Sequence, residues 1–369
     1  MAMVKVPIDV HRGSPGASGH FDHFVLDLDE HTPVLTALLK IRDEIDPTLT
    51  LRYSCRQAIC GSCAMRVNGK SRLACVTQVG PELAKRGKIV LEPMGNQPLL
   101  RDLVVDQQPF WERYHRIEPY LLPDPAHPMP VGKENPMSPE QVSQFQETPR
   151  CIACASCFSA CPALDSDPNF LGPMALAKLY RFVVDPRDGG FHRRLEMVQN
   201  QSLWLCLRCN LCVEACPKDV RPAERIVDLK WMANQEMGKL EPGSKHSIGF
   251  AENIQEGGLL NERKLAMDSL GLLGALGQLP KAIAMMRHGR SIKKHPPIQG
   301  KEDLDVIYRE LAGREDLQHR AFTREGGVRG KSPPSTSAVP TATAATSSAP
   351  ESPPANRPVS KGPTEGGKA

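Results

Sequence analysis

The chain carries Cys-Ile-Ala-Cys-Ala-Ser-Cys-Phe-Ser-Ala-Cys-Pro at residues 151–162 and Cys-Leu-Arg-Cys-Asn-Leu-Cys-Val-Glu-Ala-Cys-Pro at residues 206–217. Both stretches have the spacing C-x2-C-x2-C-x3-C-P. Two runs with this spacing in one protein bind two iron–sulfur clusters, and the fourth cysteine of each run ligates the cluster of the other run. We therefore predict two crossed ligand sets. One set is Cys151, Cys154, Cys157 and Cys216. The other set is Cys161, Cys206, Cys209 and Cys212.

A further group of cysteines lies nearer the N-terminus, at Cys55, Cys60, Cys63 and Cys75. Its spacing is C-x4-C-x2-C followed by a more distant fourth cysteine, which is the plant-type [2Fe–2S] pattern. A zinc site is the alternative interpretation. Zinc favours paired C-x2-C elements that close into a tetrahedron, and the four-residue gap fits that geometry poorly. All twelve cysteines fall into these three groups, so the sequence predicts three clusters that use every thiol.

The remaining composition excludes several classes of protein. A chain of 369 residues with 40% hydrophobic residues is long enough for two or three domains. The net charge of +4 is too small to indicate a nucleic-acid partner. Residues 1–7 contain no apolar signal segment and no twin arginine, so we expect a reducing, cytoplasmic location. No sequence motif indicates a catalytic site. The glycines Gly271, Gly274 and Gly277 have the wrong spacing for a dinucleotide-binding loop.

Apolar patterning predicts an α+β protein with two domains. Strands are predicted at 3–10 and 24–28, where apolar and polar residues alternate, and at 64–67, 72–76 and 88–91, which are short apolar runs. A helix is predicted at 32–47, between the second and third of these strands. Helical spacing predicts helices at 173–184, 193–204 and 222–237. These elements divide the chain into five parts. They are a [2Fe–2S] domain at 1–108, a Pro-rich connection at 109–139, an α-helical two-cluster domain at 140–240, a helical extension at 241–331 and a disordered tail at 332–369.

Several motifs resemble the iron–sulfur subunit of succinate dehydrogenase and fumarate reductase. They are Ser-Cys-Arg-Gln-Ala-Ile-Cys-Gly-Ser-Cys-Ala-Met at 54–65, Leu-Ala-Cys-Val-Thr at 73–77, the run that starts at 151, Phe-Leu-Gly-Pro at 170–173 and Arg-Phe-Val-Val-Asp at 181–185. The resemblance covers residues 3–240. It implies a β-grasp [2Fe–2S] ferredoxin domain joined to an α-helical ferredoxin domain with a [4Fe–4S] and a third cluster.

The resemblance also implies a function and partners. In that family a flavoprotein subunit with bound FAD oxidises succinate in the tricarboxylic acid cycle or reduces fumarate. The iron–sulfur subunit passes the electrons towards quinone, and partner subunits hold it at the inner face of the membrane. An iron–sulfur subunit of a thiol-linked fumarate reductase is the alternative, as is one of a complex like heterodisulfide reductase or glycolate oxidase.

The sequence departs from the common pattern of that family at the third cluster. Most quinone-linked members bind [3Fe–4S] through the equivalents of Cys161, Cys206 and Cys212, and they have another residue at the position of Cys209. The additional thiolate favours a [4Fe–4S] cluster. Those members also have a tryptophan after the Cys-Pro and a histidine at the position of Leu207. Both are absent here, which argues against a quinone site in this chain. The pattern resembles the subset in which a cysteine-rich peripheral subunit replaces the membrane anchor.

Two further features leave alternatives open. Arg208 and Lys218 lie beside the last cysteine run, where they would raise the potential of its cluster or act as ordinary solvated cations. The segment 265–290 is apolar and then becomes basic. It is predicted to pack on its own domain, or to lie on a membrane surface or a partner subunit.

Overall fold

The computed structural model describes residues 3–125, 128, 131–199, 202–236, 242–289 and 298–313. By the contacts between its residues, the chain divides into one unit from Met1 to Ser335 and a second from Thr336 to Ala369. The second unit lies outside the described residues, and so does the predicted disordered tail at 332–369. All of the structure below therefore belongs to the first unit.

The N-terminal part folds around a mixed sheet with the strand order β2-β1-β5-β3-β4. Its strands are β1 (Met3–Arg12), β2 (His20–Asp29), β3 (Ala64–Val67), β4 (Lys70–Leu73) and β5 (Ile89–Glu92). Strands β6 (Leu99–Arg101) and β7 (Val104–Val105) form a separate hairpin. Strand β1 pairs antiparallel with β2 and parallel with β5. A parallel pair needs a crossover connection, which brings helical segments onto the sheet.

Three helices accompany this sheet. They are α1 (Val34–Lys40), which continues as a π-helical turn at Ile41–Ile45, then α2 (Val79–Arg86) and α3 (Gln108–His115). Helix α1 buries Leu35 and Leu38 against the inward side chains of β1, among them Ile8 and Val10. The predicted α+β class and β-grasp domain are confirmed.

The strand predicted at 72–76 is displaced in the structure. Strand β4 ends at Leu73 because the chain turns there. The amide of Ala74 donates to the carbonyl of Cys63 at 3.1 Å, and the Ala74 carbonyl accepts from Leu35 at 2.9 Å. This turn carries Cys75 out of the strand and towards the loop with the other cysteines of its group. The sequence pattern also missed α2, whose buried residues are few.

The second part is helical, as predicted. Its helices are α4 (Pro139–Ser143), α5 (Ser156–Ser159), α6 (Pro162–Ser166), α7 (Pro173–Val183), α8 (Phe191–Gln199), α9 (Leu211–Glu214) and α10 (Pro222–Glu236). Proline at the first position begins α4, α6, α7 and α10 because its missing N–H has no partner there in any helix. Helices α7, α8 and α10 bury a core that includes Leu176, Leu195, Ile226 and Leu229.

The two parts pack tightly against each other. Phe110 of α3 and Ile117 lie in the core of the helical part. Ser71 Oγ donates to Ser159 Oγ at 2.8 Å, and the Asn96 side-chain amide donates to the carbonyl of Cys161 at 2.9 Å. Because Ile117 follows α3 in the chain, this packing also holds the start of the connecting segment, whose sequence is rich in proline.

Arg194 holds residues 117–120 of that connecting segment through hydrogen bonds to backbone carbonyls. Its side chain is fully buried and forms an ion pair with Asp188 at 2.8 Å. The same guanidinium donates to the carbonyls of Ile117, Glu118 and Tyr120 at 2.9, 3.0 and 2.6 Å. A planar group with five N–H donors can satisfy this many acceptors at once, so a single arginine positions the chain between the two parts.

Beyond the helical part lie α11 (Pro242–Gly257), α12 (Glu262–Gly277), α13 (Leu279–Arg287) and α14 (Lys301–Gly313). The Asn261 side chain caps α12 by accepting from the Lys264 amide at 3.2 Å. Helix α12 bends at Gly271, which has a φ of 70°. Its first half packs on α11, whereas its second half and α13 are largely exposed. Among the described helices, none has the length and apolar character needed to cross a bilayer.

Candidate metal centres

The N-terminal cysteine group lies in the long loop before β3 and in the turn after β4. Cys63 and Cys75 are buried, whereas Cys60 is exposed and Cys55 is half-buried. All twelve cysteines are free thiols. Burial raises the pKa of Cys63 to about 12, and the hydrogen bond of Ser62 lowers the pKa of Cys60 to about 6. The turn at Ala74 brings Cys75 to the other three cysteines, and the resulting set of four thiols is exposed at Cys60.

Backbone amides in this loop point at the sulfur atoms. The amides of Gln57, Ile59 and Cys60 donate to Cys55 Sγ at 3.4, 3.4 and 3.3 Å. The amide of Ala58 donates to Cys75 Sγ at 3.3 Å. Such donors stabilise thiolate bound to iron and raise the potential of a cluster. The donor set and its hydrogen bonds fit a [2Fe–2S] cluster.

The two C-terminal runs interleave around two cavities. The first cavity is lined by Cys151, Cys154, Cys157 and Cys216. The second cavity is lined by Cys161, Cys206, Cys209 and Cys212. The structure thus brings together the same sets that the spacing predicts. We call them the middle site and the third site, and the N-terminal group the first site.

The backbone repeats itself in the two runs. Ala153 and Ala155 have φ values of 51° and 61°, and Arg208 and Asn210, at the equivalent positions, have 54° and 62°. Left-handed residues are costly unless the surroundings hold them. The repetition shows that both loops are wrapped in the same way, and each ends in the short helix α5 or α9 that returns the fourth cysteine to the opposite cavity.

The first and middle sites are in direct contact, and the middle and third sites lie close together. A Cβ atom built on Gly61, in the first-site loop, would lie 2.8 Å from Cys154 Cβ and 2.9 Å from its Cα. Burial raises the pKa of Cys157, in the middle site, well above its usual value, and the charges of Cys154, Cys151 and Cys212 raise it further. Because Cys212 belongs to the third site, the middle site lies between the other two.

A buried lysine at the third site and a half-buried lysine at the middle site were not predicted from the sequence. Lys230 is 4% exposed and donates to the carbonyl of Cys206 at 3.0 Å. Burial lowers its pKa to about 8. Lys178 lines the middle site and donates to the carbonyl of Thr148 at 3.2 Å. The sequence does contain a signal that Lys230 is buried, because Lys230 lies on the same face of α10 as the apolar residues Ala223 and Ile226.

Arg208 and Lys218, which the sequence places beside the same cysteine run, have different surroundings in the structure. Lys218 lines the middle site and not the third, because its neighbour Cys216 crosses to that cavity. Of the two alternatives left open for Lys218, the one that places it at the third site therefore does not match the structure, since Lys218 faces the middle site. Arg208 does lie beside the third site in sequence, but its side chain is directed to Ser247 Oγ, at 3.1 Å.

These observations define a class of protein. A β-grasp domain with four thiols that accept backbone hydrogen bonds, joined to a helical domain with two four-cysteine cavities close together, is an iron–sulfur electron-transfer protein. Two protein-family models agree with this class. The 2Fe-2S iron-sulfur cluster binding domain matches residues 7–112, and the 4Fe-4S dicluster domain matches residues 147–220.

Relatives with named functions specify the family. The chain is 38% identical to the fumarate reductase iron-sulfur subunit of Haemophilus influenzae, over 63% of this chain and 90% of that protein. It is 37% identical to the succinate dehydrogenase iron-sulfur subunit of Paracoccus denitrificans, over 61% and 86%. A chain of the Mycobacterium smegmatis Sdh1 complex in the apo form has the same fold, with a TM-score of 0.58 at 24% identity, covering 64% of this chain and 99% of that one.

The chain belongs to the family of succinate dehydrogenase and fumarate reductase iron–sulfur subunits. It is the electron-transfer subunit of a multi-subunit oxidoreductase and carries a [2Fe–2S] cluster, a [4Fe–4S] cluster and a third cluster. The alternative assignment, to a thiol-linked fumarate reductase or a complex like heterodisulfide reductase, is not favoured by these relatives.

The buried lysine beside the third site leads to a prediction about potential. We expect Lys230→Met to lower the midpoint potential of the third cluster by roughly 50 mV, because a buried positive charge stabilises the added electron. The measurement is a redox titration followed by EPR. Lys218→Met is the matched control, and it is expected to shift the middle cluster instead. Equal shifts of both clusters in both variants would contradict this assignment.

Proposed function

We propose that this chain carries electrons between an FAD-containing flavoprotein, which oxidises succinate or reduces fumarate, and a membrane-associated partner. The single observation that supports this most is the row of three four-cysteine sites, each close to the next. When bound, each cluster accepts and returns one electron at a time. The protein's own residues hold these sites close together, and none of the four cysteines of the middle site is fully exposed.

The ligand sets are part of the proposal. Cys55, Cys60, Cys63 and Cys75 would hold [2Fe–2S]. Cys151, Cys154, Cys157 and Cys216 would hold [4Fe–4S]. Cys161, Cys206, Cys209 and Cys212 would hold the third cluster. Supporting these sets are the separate cavities of the last two and the amide donors of the first.

The exposure of the outer sites suggests where partners bind. At the first site, Ile59 is 59% exposed and Val76 is 53% exposed, and they flank the exposed Cys60. An apolar rim of this kind is typical of a protein interface, and we assign it to the flavoprotein. At the third site, Leu207 and the exposed Cys209 form the corresponding rim. We assign that rim to a membrane-anchor or cysteine-rich peripheral subunit, which would hold this chain at the inner face of the membrane.

We propose that the third cluster is [4Fe–4S] and that Cys209 is its additional ligand. Cys209 lines the third cavity together with the other three cysteines, and its charge raises the pKa of Cys212, after the larger effect of burial. Neither the tryptophan nor the histidine of the quinone-linked pattern is present, so we place quinone reduction on the partner subunit rather than on this chain.

The assignment of Cys209 predicts a change of cluster type. The oxidised, anaerobically purified protein should show no stoichiometric [3Fe–4S] signal in low-temperature EPR. Cys209→Ala should gain this signal at roughly one per chain, because Cys161, Cys206 and Cys212 are the three positions that hold [3Fe–4S] in the quinone-linked pattern, and alanine offers no fourth ligand. Leu207→Ser, at a neighbouring exposed residue, is the control and should leave the signal absent. A full-intensity [3Fe–4S] signal in the unmodified protein would show that the fourth thiol is not a ligand.

The proposed function is tested by mixing the cluster-loaded chain anaerobically with its flavoprotein partner and succinate. We expect the visible absorbance of the clusters to bleach in this mixture and not in the mixture without the flavoprotein. If dithionite bleaches the chain but succinate with an active flavoprotein does not, the proposed partner and substrate are wrong.

A further inference from the structure

The second half of α12 and all of α13 expose an apolar surface. We call residues 270–287 the apolar arm. Leu273 is 85% exposed, Leu276 is 55% exposed and Leu279 is 52% exposed, and no residue of α13 is buried. Helices that are apolar on most sides are normally buried in a core or placed in lipid. A contiguous exposed surface of this kind therefore indicates a binding site.

The charged residues within the arm are all positive. No aspartate or glutamate lies between Asp268 and Glu302. Within the arm, Lys281 and Arg287 are both exposed, and basic residues continue in the sequence at Arg290, Lys293 and Lys294. Leucine, isoleucine and methionine interspersed with cations and followed by more of them are typical of helices that lie in the surface of an anionic bilayer.

This charge pattern also decides between the occupants of the surface. A second copy of the arm would bring further cations and no acidic side chain to pair with Lys281 and Arg287, and like charges in an interface are unfavourable. An anionic lipid surface meets both requirements, because its headgroups pair with the cations and its acyl chains accept the leucines.

The arm is attached to the third site through α11. A Cβ atom built on Gly243 would lie 2.5 Å from Trp204 Cβ, so α11 begins in direct contact with the residues before Cys206. Ser247 of α11 accepts a hydrogen bond from Arg208, and His246 bonds Ser269 of α12 at 3.2 Å. The arm then bends away at Gly271. Lipid bound to the arm would consequently lie on the side of the third site.

We propose that the apolar arm binds the surface of an anionic lipid bilayer and anchors this chain to it directly, independently of partner subunits. The leucines enter the boundary between headgroups and acyl chains, and Lys281 and Arg287 contact the phosphates. That this brings the exit of the electron path to the membrane rests on the proposed function, whereas the lipid binding itself does not.

The test uses the full-length, cluster-loaded chain without partner subunits, sedimented with two kinds of vesicles. One kind is phosphatidylcholine alone, and the other contains about one third phosphatidylglycerol. We expect binding to the anionic vesicles to be at least about tenfold tighter, because each basic residue near the surface contributes roughly fivefold. High salt should weaken this binding.

A double variant tests the arm itself. Leu273→Glu with Leu276→Glu should reduce binding to anionic vesicles by at least about tenfold while the absorbance and EPR spectra of the clusters stay unchanged. Val131→Glu is the matched control, since Val131 is 99% exposed and outside the arm, and it should bind like the unmodified chain. Light scattering of the same samples reports the oligomeric state.

Other outcomes would overturn the proposal. Failure to bind either kind of vesicle would exclude lipid, as would binding that the double variant leaves intact. A dimer that the double variant dissociates would show that a second copy covers the arm. Loss of association with a purified partner subunit, without any effect on vesicles, would assign the arm to that protein. Because none of these measurements uses succinate or fumarate, their failure is distinguishable from failure of the proposed function.

Discussion

Replacing Cys216 by alanine is expected to remove the cluster at Cys151, Cys154 and Cys157 and to leave the cluster of its own run in place. The reason is the crossing of the two runs, which puts Cys216 in the middle cavity. Succinate should still reduce the first cluster but not the third, and turnover of the assembled complex should fall by at least about a hundredfold. Because iron binding contributes to folding free energy, the helical part should also lose several kcal/mol of stability.

The matched variant is Cys161→Ala, which alters the fourth cysteine of the other run. It should remove the third cluster and spare the middle one. Iron and sulfide analysis with EPR of both variants distinguishes the two losses. If each run held its own cluster, the results would be exchanged, and Cys216→Ala would delete the signal of the third site. That exchange would refute the crossed ligand sets.

Replacing Gly61 by alanine is expected to destabilise the contact between the first and middle sites. The new methyl would lie 2.8–2.9 Å from Cys154 Cβ and Cα, which are held by the neighbouring backbone. Gly61 also has a φ of 75°. The left-handed backbone and the overpacking together should cost roughly 2–5 kcal/mol of unfolding free energy. Thermal unfolding gives the loss, and the magnetic coupling of the two clusters in EPR should weaken.

Gly69→Ala separates the two causes. Gly69 has a φ of 80°, and a Cβ atom there would meet no atom within 4 Å. The Gly69→Ala variant should therefore lose only the free energy of unfolding that a left-handed backbone costs, about 1–2 kcal/mol. Arg56 and Ala58, in the same loop as Gly61, already have positive φ values, so the close approach to Cys154 should dominate. Equal destabilisation by the two variants would mean that packing against Cys154 contributes nothing.

Much of the fold could be predicted from the sequence. The strand at 64–67 and the helix from Pro173 appear in the structure almost as predicted, because periodic apolar residues, prolines and caps act over a few neighbouring residues. The prediction was less accurate at 72–76, where Val76 and Thr77 favour a strand but the chain turns after Leu73. Helix α11 lies in the predicted helical extension, but its bounds were not predicted, because its apolar residues are separated by glycine, serine and charged residues.

The candidate sites show the same division. Spacing alone grouped the cysteines, since three thiols within one loop can bind one cluster only at particular separations along the chain. Spacing could not reveal Lys178 and Lys230, because a lysine in a helix is normally solvated. Nor did it place Lys218 at the middle site, where that residue follows its neighbour Cys216.

The sequence by itself determined the class of protein, and it predicted the number of sites and the crossed grouping of their cysteines. These are consequences of local chain geometry and thiolate chemistry, which depend on residues close together in sequence. Only the tertiary structure decided that Gly61 lies against Cys154, that Lys230 is buried beside Cys206, and that the apolar arm is exposed. These facts depend on contacts between distant segments. Such contacts form only when whole elements pack, and no local pattern encodes the neighbour that each residue then meets.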